Sequence, residues 1–273
     1  MRINQNINSI NALRNLSVNE MGQSKSLEKL SSGFRINRAA DDAAGLTISE
    51  GLRSQVGGLK VAMRNAQDGI SVVQTAEGAL SEVTSILQRM RDLSVQAANS
   101  GAEGAGAATA IGDEITQMSA EVDRIASTTQ FNGVALLDGN FTGKTFQVGA
   151  NVTSNDQISV TVGAMSAASL GVDALDMSDA TTAGAAVTAI DAAIATVSGE
   201  RSKLGAVQNR FEHTISNLGV AVENLSASES RIRDTDMAAE MSQLSKHQVL
   251  QQAGTAMLAQ ANSSTQSVLK LLQ

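Results

Sequence analysis

The chain contains no cysteine, proline, tryptophan or tyrosine, and its only aromatic residues are five phenylalanines in 273 positions. Average usage would supply roughly 14 prolines at this length. Without thiols there can be no disulfide framework, no Cys-ligated zinc or iron–sulfur site and no cysteine nucleophile. The two histidines, His213 and His247, are too few for a His-rich metal site, and no His-Glu-x-x-His pattern occurs. Serine is abundant, but no Ser-His-Asp constellation accompanies it. So few rings also argue against a compact globule built on aromatic packing. The expectation is a protein that is not an enzyme, with no catalytic residues, no cofactor and no metal.

The formal charge of −7 is unevenly placed. Residues 1–40 carry six Lys/Arg against two Glu, and residues 232–273 hold three of each sign. The stretch between them therefore has 11 basic and 22 acidic residues, a net of −11. An acidic body lacks the concentrated basic surface that nucleic acid requires. No run approaches about 18 consecutive apolar residues, so no membrane span is expected. The first residues lack the apolar core of a signal peptide, and on composition alone the default location is the cytoplasm.

What is present is helical periodicity. From Ile48 to Met90, apolar residues recur through Leu52, Val56, Leu59, Met63, Ala66, Ile70, Val73, Ala76, Leu80, Val83 and Leu87. The mean step is about 3.5, the coiled-coil period. Gly57, Gly58, Gly69 and Gly78 interrupt this run at a cost of about 1 kcal/mol each, yet the unbroken period favours one helix over about 44–99. A second run is Ile111, Ile115, Met118, Val122 and Ile125; a third extends from Val187 to Leu225, with Arg201 and Gln208 in skipped seam positions. A helix over 44–99 would measure roughly 84 Å. A compact globule of this size is only about 50 Å across. The expected fold is mainly α: an elongated rod of long antiparallel coiled-coil-like helices over 43–231.

The rod carries one β-hairpin at about 141–163, where Lys144–Val148 and Gln157–Val162 alternate around turn residues. A short surface loop is expected over about 163–186. Paired terminal arms, 1–42 and 232–273, are also helical. Ile3, Ile7, Ile10, Leu13 and Leu16 stripe the first; Met241, Leu244, Leu250, Met257, Val268 and Leu272 stripe the second. Stripes at both chain ends need a partner to bury them, so these are candidate assembly residues. A charge collar between arm and rod is expected from Arg35, Arg38, Asp41 and Asp42 facing Arg231, Arg233, Asp234 and Asp236, the carboxylates of one segment pairing with the guanidiniums of the other.

Six blocks carry a family resemblance: LSSGFRINRAADDAAGL at 30–46, NAQDGISVVQTAEGAL at 65–80, QRMRDLSVQAAN at 88–99, QFNG at 130–133, LGAVQNRFE at 204–212 and MLAQAN at 257–262. In this order the chain resembles bacterial flagellin over roughly 1–160 and 187–273, in a short form lacking the large outer domains. The resemblance implies a structural subunit that polymerises with copies of itself into the flagellar filament for swimming motility. It implies secretion to the extracellular filament without a cleaved signal, reversing the cytoplasmic default. Its implied partners are an export chaperone, the hook–filament junction proteins, a filament cap protein and a host innate flagellin receptor. The family's receptor pattern maps to Gln88, Arg89, Leu93, Gln96 and Glu114, with the departure that Met118 stands where recognised members can carry Arg. Ser/Thr-rich stretches at 151–169 and 178–188 are either O-glycan acceptors or plain solvated surface. His247 is expected as a polar assembly contact. The alternative reading is a hook–filament junction axial protein, which shares the terminal arms.

Overall fold

The computed structural model describes residues 5–99 and 105–271, with 105 and 265–271 by backbone alone. Its helices are α1 (Ile7–Ser32), α2 (Ala43–Ala97), α3 (Ala105–Thr128), α4 (Ala167–Leu170), α5 (Ala180–Arg233) and α6 (Met237–Leu271). Two antiparallel pairs of short strands lie between α3 and α4: β1 (Gln130–Phe131) with β2 (Val134–Ala135), and β3 (Lys144–Gln147) with β4 (Gln157–Val160). The chain divides into two compact units, one holding Val56–Val222 and the other the residues up to Gln55 and from Glu223. The division falls inside α2 and α5, not at the expected 42/43 and 231/232 boundaries. The first turns of α2 and the last turns of α5 pack with the segment between α1 and α2, where Ile36 and Ser49 are buried and Glu50 meets Arg233.

In the central unit the seam residues of α2 do what their spacing predicts. Ala66, Val73, Ala76, Leu80, Val83, Leu87 and Met90 are all buried in one core. α5 answers with Ala183, Ala186, Ile190, Ala193, Val197, Leu204 and Phe211. The two helices run antiparallel there: Arg91 pairs with Asp191 at 2.6 Å, Glu77 with Arg201 at 3.6 Å, and Gly69 lies against Phe211. The hydrogen bond that Arg91 donates to the Asp191 carboxylate raises its guanidinium above the ordinary value. Gly69 has a specific role, because a Cβ there would sit 2.6 Å from the Phe211 ring. On its other side Phe211 meets Phe146 of β3 edge-on at 5.6 Å, so one ring joins the α2 seam to the hairpin.

The β3–β4 pair forms where alternation predicts it, with Lys144 opposite Val160 and Gln147 opposite Gln157. The expected surface loop at 163–186 is corrected. Met165, Ala167, Leu170, Val172 and Met177 are buried, and α5 already begins at Ala180. Carboxylates on two helices hold this segment down. Glu200 of α5, itself buried, accepts from the Gly163 N–H at 3.2 Å, and Asp123 of α3 accepts from the Ala167 N–H at 2.8 Å. A sparse apolar content without period hides such packing, because loop-like composition says nothing about what anchors the backbone.

One described helix, α5, contains an 18-residue window of mean hydropathy 1.4 that is long and apolar enough to cross a membrane. Much of that apolarity is alanine. Ala183, Ala186, Ile190, Ala193 and Val197 recur every three to four residues and face the core.

Candidate assembly surface

The unit formed by the two chain ends is built on α1 and α6, which run antiparallel. Asn6 Nδ2 donates to the Ala261 carbonyl at 2.9 Å, Asn19 Nδ2 donates to the His247 carbonyl at 2.8 Å, and Lys29 lies 3.7 Å from Glu240. Asn6 caps α1 by accepting from the Ser9 N–H, and Asp236 caps α6 by accepting from the Ala238 and Ala239 N–H groups. The helices approach closely where Gly22 faces the His247 ring, whose Nδ1 is 2.6 Å from Asn19 Oδ1. With Asn19 Nδ2 already donating, Oδ1 is the acceptor and Nδ1 carries a proton. The sequence marked His247 as a contact between copies; its ring instead packs within the helix pair.

This pair is assembled inside out. Its buried residues include Asn19, Ser26 and Leu244, whereas Ile7, Ile10 and Leu13 are 61%, 59% and 56% exposed and Met257 is 63% exposed. Met241 and Leu250 are exposed as well, and Leu16 is half-buried beside Gly254. Leu244 is the exception among the candidate stripe residues, at 8% exposed. Ile3 and Leu272 lie outside the described residues, and of Val268 only its place in α6 is described. Burying an apolar side chain of this size is worth about 1.5–3 kcal/mol. The helix pair by itself leaves that gain unrealised.

The segments expected to form a collar do meet, but through backbone and not through crossed carboxylate–guanidinium pairs. Phe34 and Asp234 form an antiparallel bridge, Arg35 N–H donates to the Arg233 carbonyl at 2.7 Å, and Thr235 N–H donates to the Gly33 carbonyl at 3.0 Å. Arg35 also donates through its guanidinium to the Ile232 carbonyl. Arg233 stacks 4.6 Å from the Phe34 ring centroid and pairs with Glu50 at 2.6 Å, while Arg38 pairs with Glu28. The aspartates serve local groups: Asp42 caps α2 at the Gly45 N–H, Asp236 caps α6, and Asp234 accepts from the Ser230 hydroxyl. Asp41 accepts from the Arg38 N–H, which holds its carboxyl below the usual value, with Lys25 and Lys29 adding to the effect. Arg231 donates to Ser228. The sequence missed Glu50 and Phe34 as the partners of Arg233, because charge spacing alone cannot distinguish an ion pair from a helix cap.

In the central unit, Arg89 forms an exposed ion pair with Glu114 at 2.9 Å, and Gln88 and Gln96 are exposed. Leu93, expected as a receptor contact, is 3% exposed and belongs to the core. Among the described residues no group of His, Asp and Glu is placed to hold a metal ion.

Set beside known proteins, the chain matches the bacterial flagellin N-terminal helical region over residues 3–142 and the bacterial flagellin C-terminal helical region over 187–272. The chain belongs to the bacterial flagellin family. It is 50% identical to the flagellin of Bacillus subtilis over the whole of both chains, and 47% identical to the flagellar filament 33 kDa core protein of Treponema phagedenis, again over the whole of both. Among solved structures, the crystal structure of Bacillus cereus flagellin is 32% identical, covers 57% of this chain and 88% of its own, and has a TM-score of 0.49. Flagellins are structural proteins, and this chain is not an enzyme. The family regions leave out 143–186, where the β3–β4 hairpin and the carboxylate-held segment lie.

Proposed function

We propose that the chain is a structural subunit of the bacterial flagellar filament, exported without a cleaved signal and polymerising with copies of itself outside the cell. The observation that carries this reading is the α1–α6 pair, which buries Asn19 and Ser26 and leaves Ile7, Ile10 and Leu13 to solvent. A stripe of this kind finds cover in a neighbouring copy, and a heterologous contact that does not close into a ring propagates as a helix. Full-length similarity to a protein named as a flagellar filament core protein supports the same reading. An export chaperone on the C-terminal helix, junction proteins and a cap at the growing end fit a subunit of this design. For a host innate flagellin receptor, the available surface is Gln88, Arg89, Gln96 and Glu114, with Leu93 contributing only by supporting the helix beneath them.

The deciding experiment is electron microscopy of purified monomer with and without short filament seeds, beside a variant lacking residues 1–40. Long seeded filaments from the full chain and none from the truncated one are the expected result. A full chain that stays a discrete small oligomer with seeds present would move the junction role ahead.

A further inference from the structure

Within the central unit, the β3–β4 hairpin and α5 leave an open groove of about 540 Å³ between them, a volume in the range of small-molecule sites. One wall is a polar face of α5, where Arg210, His213, Thr214 and Asn217 are brought together by steps of three and four residues. The other wall is the turn that leads into β4, with Asn155 and Asp156, and Gln157 at the start of the strand. Val148, Ile158 and Leu218, all buried, give the groove an apolar base.

The polar groups of this groove are largely uncommitted. Among the described residues, the side chains of Asn155, Arg210, His213 and Asn217 have no hydrogen bond or ion pair. Two carboxylates lie near enough in sequence or space to neutralise Arg210, and neither does. Glu212 accepts from Gln208 at 3.0 Å. Asp156 shares the groove, but its carboxylate accepts from the Thr153 hydroxyl at 2.7 Å and packs so closely on Gly149 that a Cβ there would collide with it. The acid is engaged by its own turn, and the guanidinium across the groove is left without a counter-charge.

We propose that this groove binds a sugar acid, a pyranose bearing one carboxylate. The Arg210 guanidinium takes the carboxylate through parallel N–H donors. The imidazole of His213 and the amides of Asn155 and Asn217 can both donate and accept, which suits the ring hydroxyls. The C–H face of the sugar covers Val148, Ile158 and Leu218. Charge selects this ligand over other anions: the stretch between residues 40 and 232 carries a net −11, so its field admits a single negative charge more readily than a phosphate dianion or a densely sulfated chain. The site is separate from the α1–α6 pair and does not depend on the filament reading.

The test is a nitrogen-15 NMR titration of the full chain as monomer with sodium glucuronate, glucose and inorganic phosphate in turn. Glucuronate should shift the side-chain amide signals of Asn155 and Asn217 saturably, with a dissociation constant on the order of 1 mM for a ligand of that size. Glucose and phosphate should each bind at least several-fold more weakly. Arg210→Gln should weaken glucuronate roughly tenfold or more, the loss expected for a charge-assisted hydrogen bond. Asn217→Leu keeps the charge and should weaken it several-fold. Lys246→Gln, which removes a cation that does not line the groove, should leave binding unchanged. Circular dichroism of each variant confirms unchanged helix content. Shifts that do not saturate, or that persist at the same affinity in both groove variants, overturn the proposal. Phosphate binding as tightly as glucuronate would make the groove a general anion site, and glucose binding as tightly would make it a neutral-sugar site; either result overturns the assignment to a sugar acid. Seeded growth enters none of these readouts, so their failure leaves the filament reading standing.

Discussion

Gly69 and Gly78 lie nine residues apart in α2, two and a half turns and so on opposite faces, yet the sequence assigns both the same helix penalty. Their surroundings separate them. A Cβ on Gly69 would meet the Phe211 ring at 2.6 Å, whereas a Cβ on Gly78 would meet nothing within 4 Å. Gly69→Ala should therefore destabilise the central unit by about 1–3 kcal/mol through overpacking. Gly78→Ala should stabilise it by about 0.4–1 kcal/mol through the unfolded chain. Urea denaturation of the two variants checks both signs at once. Asp41 offers a residue-scale test of a different kind. Its carboxyl is held low by the Arg38 N–H, so its contribution is present at neutral pH and disappears as the pH falls through its lowered folded value. Carbon-13 NMR titration should find its midpoint below the ordinary carboxylate range, and Arg38→Pro, which removes that N–H, should move the midpoint upward.

At the scale of elements, the sequence exposed most of what periodicity can encode. The 3.5-residue step from Ile48 to Met90 gave α2 to within about two residues at either end, and the alternation around Phe146 and Ile158 gave the hairpin. The same pattern could not say how far burial extends. Ile48 is more than half exposed, although it starts the run that ends in fully buried Met90. Packing of 163–186 was illegible because Met165, Leu170, Val172 and Met177 follow no period, and their anchors, Asp123 and Glu200, come from distant helices. Charge roles were half legible. Both collar segments were found, but Asp42 and Asp236 were read as ion-pair partners when their positions just before α2 and α6 make them caps. Asp236→Ala should thus loosen the start of α6 by about 1 kcal/mol, seen as faster amide exchange in its first turn. A double-mutant cycle should find coupling of up to about 1 kcal/mol between Glu50 and Arg233. Reversing Asp41 and Asp42 should not be rescued by aspartates at positions 231 and 233.

Across the whole molecule, the two units differ in the kind of cohesion they possess. The central unit has a continuous apolar core from Ala66 to Phe211, including two residues of the β2–β3 connection, Leu136 and Leu137, with no measurable exposure. The unit of the two chain ends joins positions 255 residues apart through the Asn6–Ala261 hydrogen bond, and its buried residues include Asn19 and Ser26 beside Leu244. Cooperative units with few buried apolar contacts open at low free-energy cost, whereas large cores open only with global unfolding. Amide hydrogen exchange of the monomer should therefore show α1 and α6 exchanging far ahead of α2 residues 66–90 and α5 residues 183–211. In seeded filaments, neighbouring copies cover Ile7, Ile10 and Leu13, so protection should rise selectively in α1 and α6 and change little in the central core. Equal protection of both units in the monomer would mean that the polar seam is a stable interface in its own right. Assembly would then owe little to the ordering of the terminal helices, and the link between their exposed stripes and polymerisation would be broken.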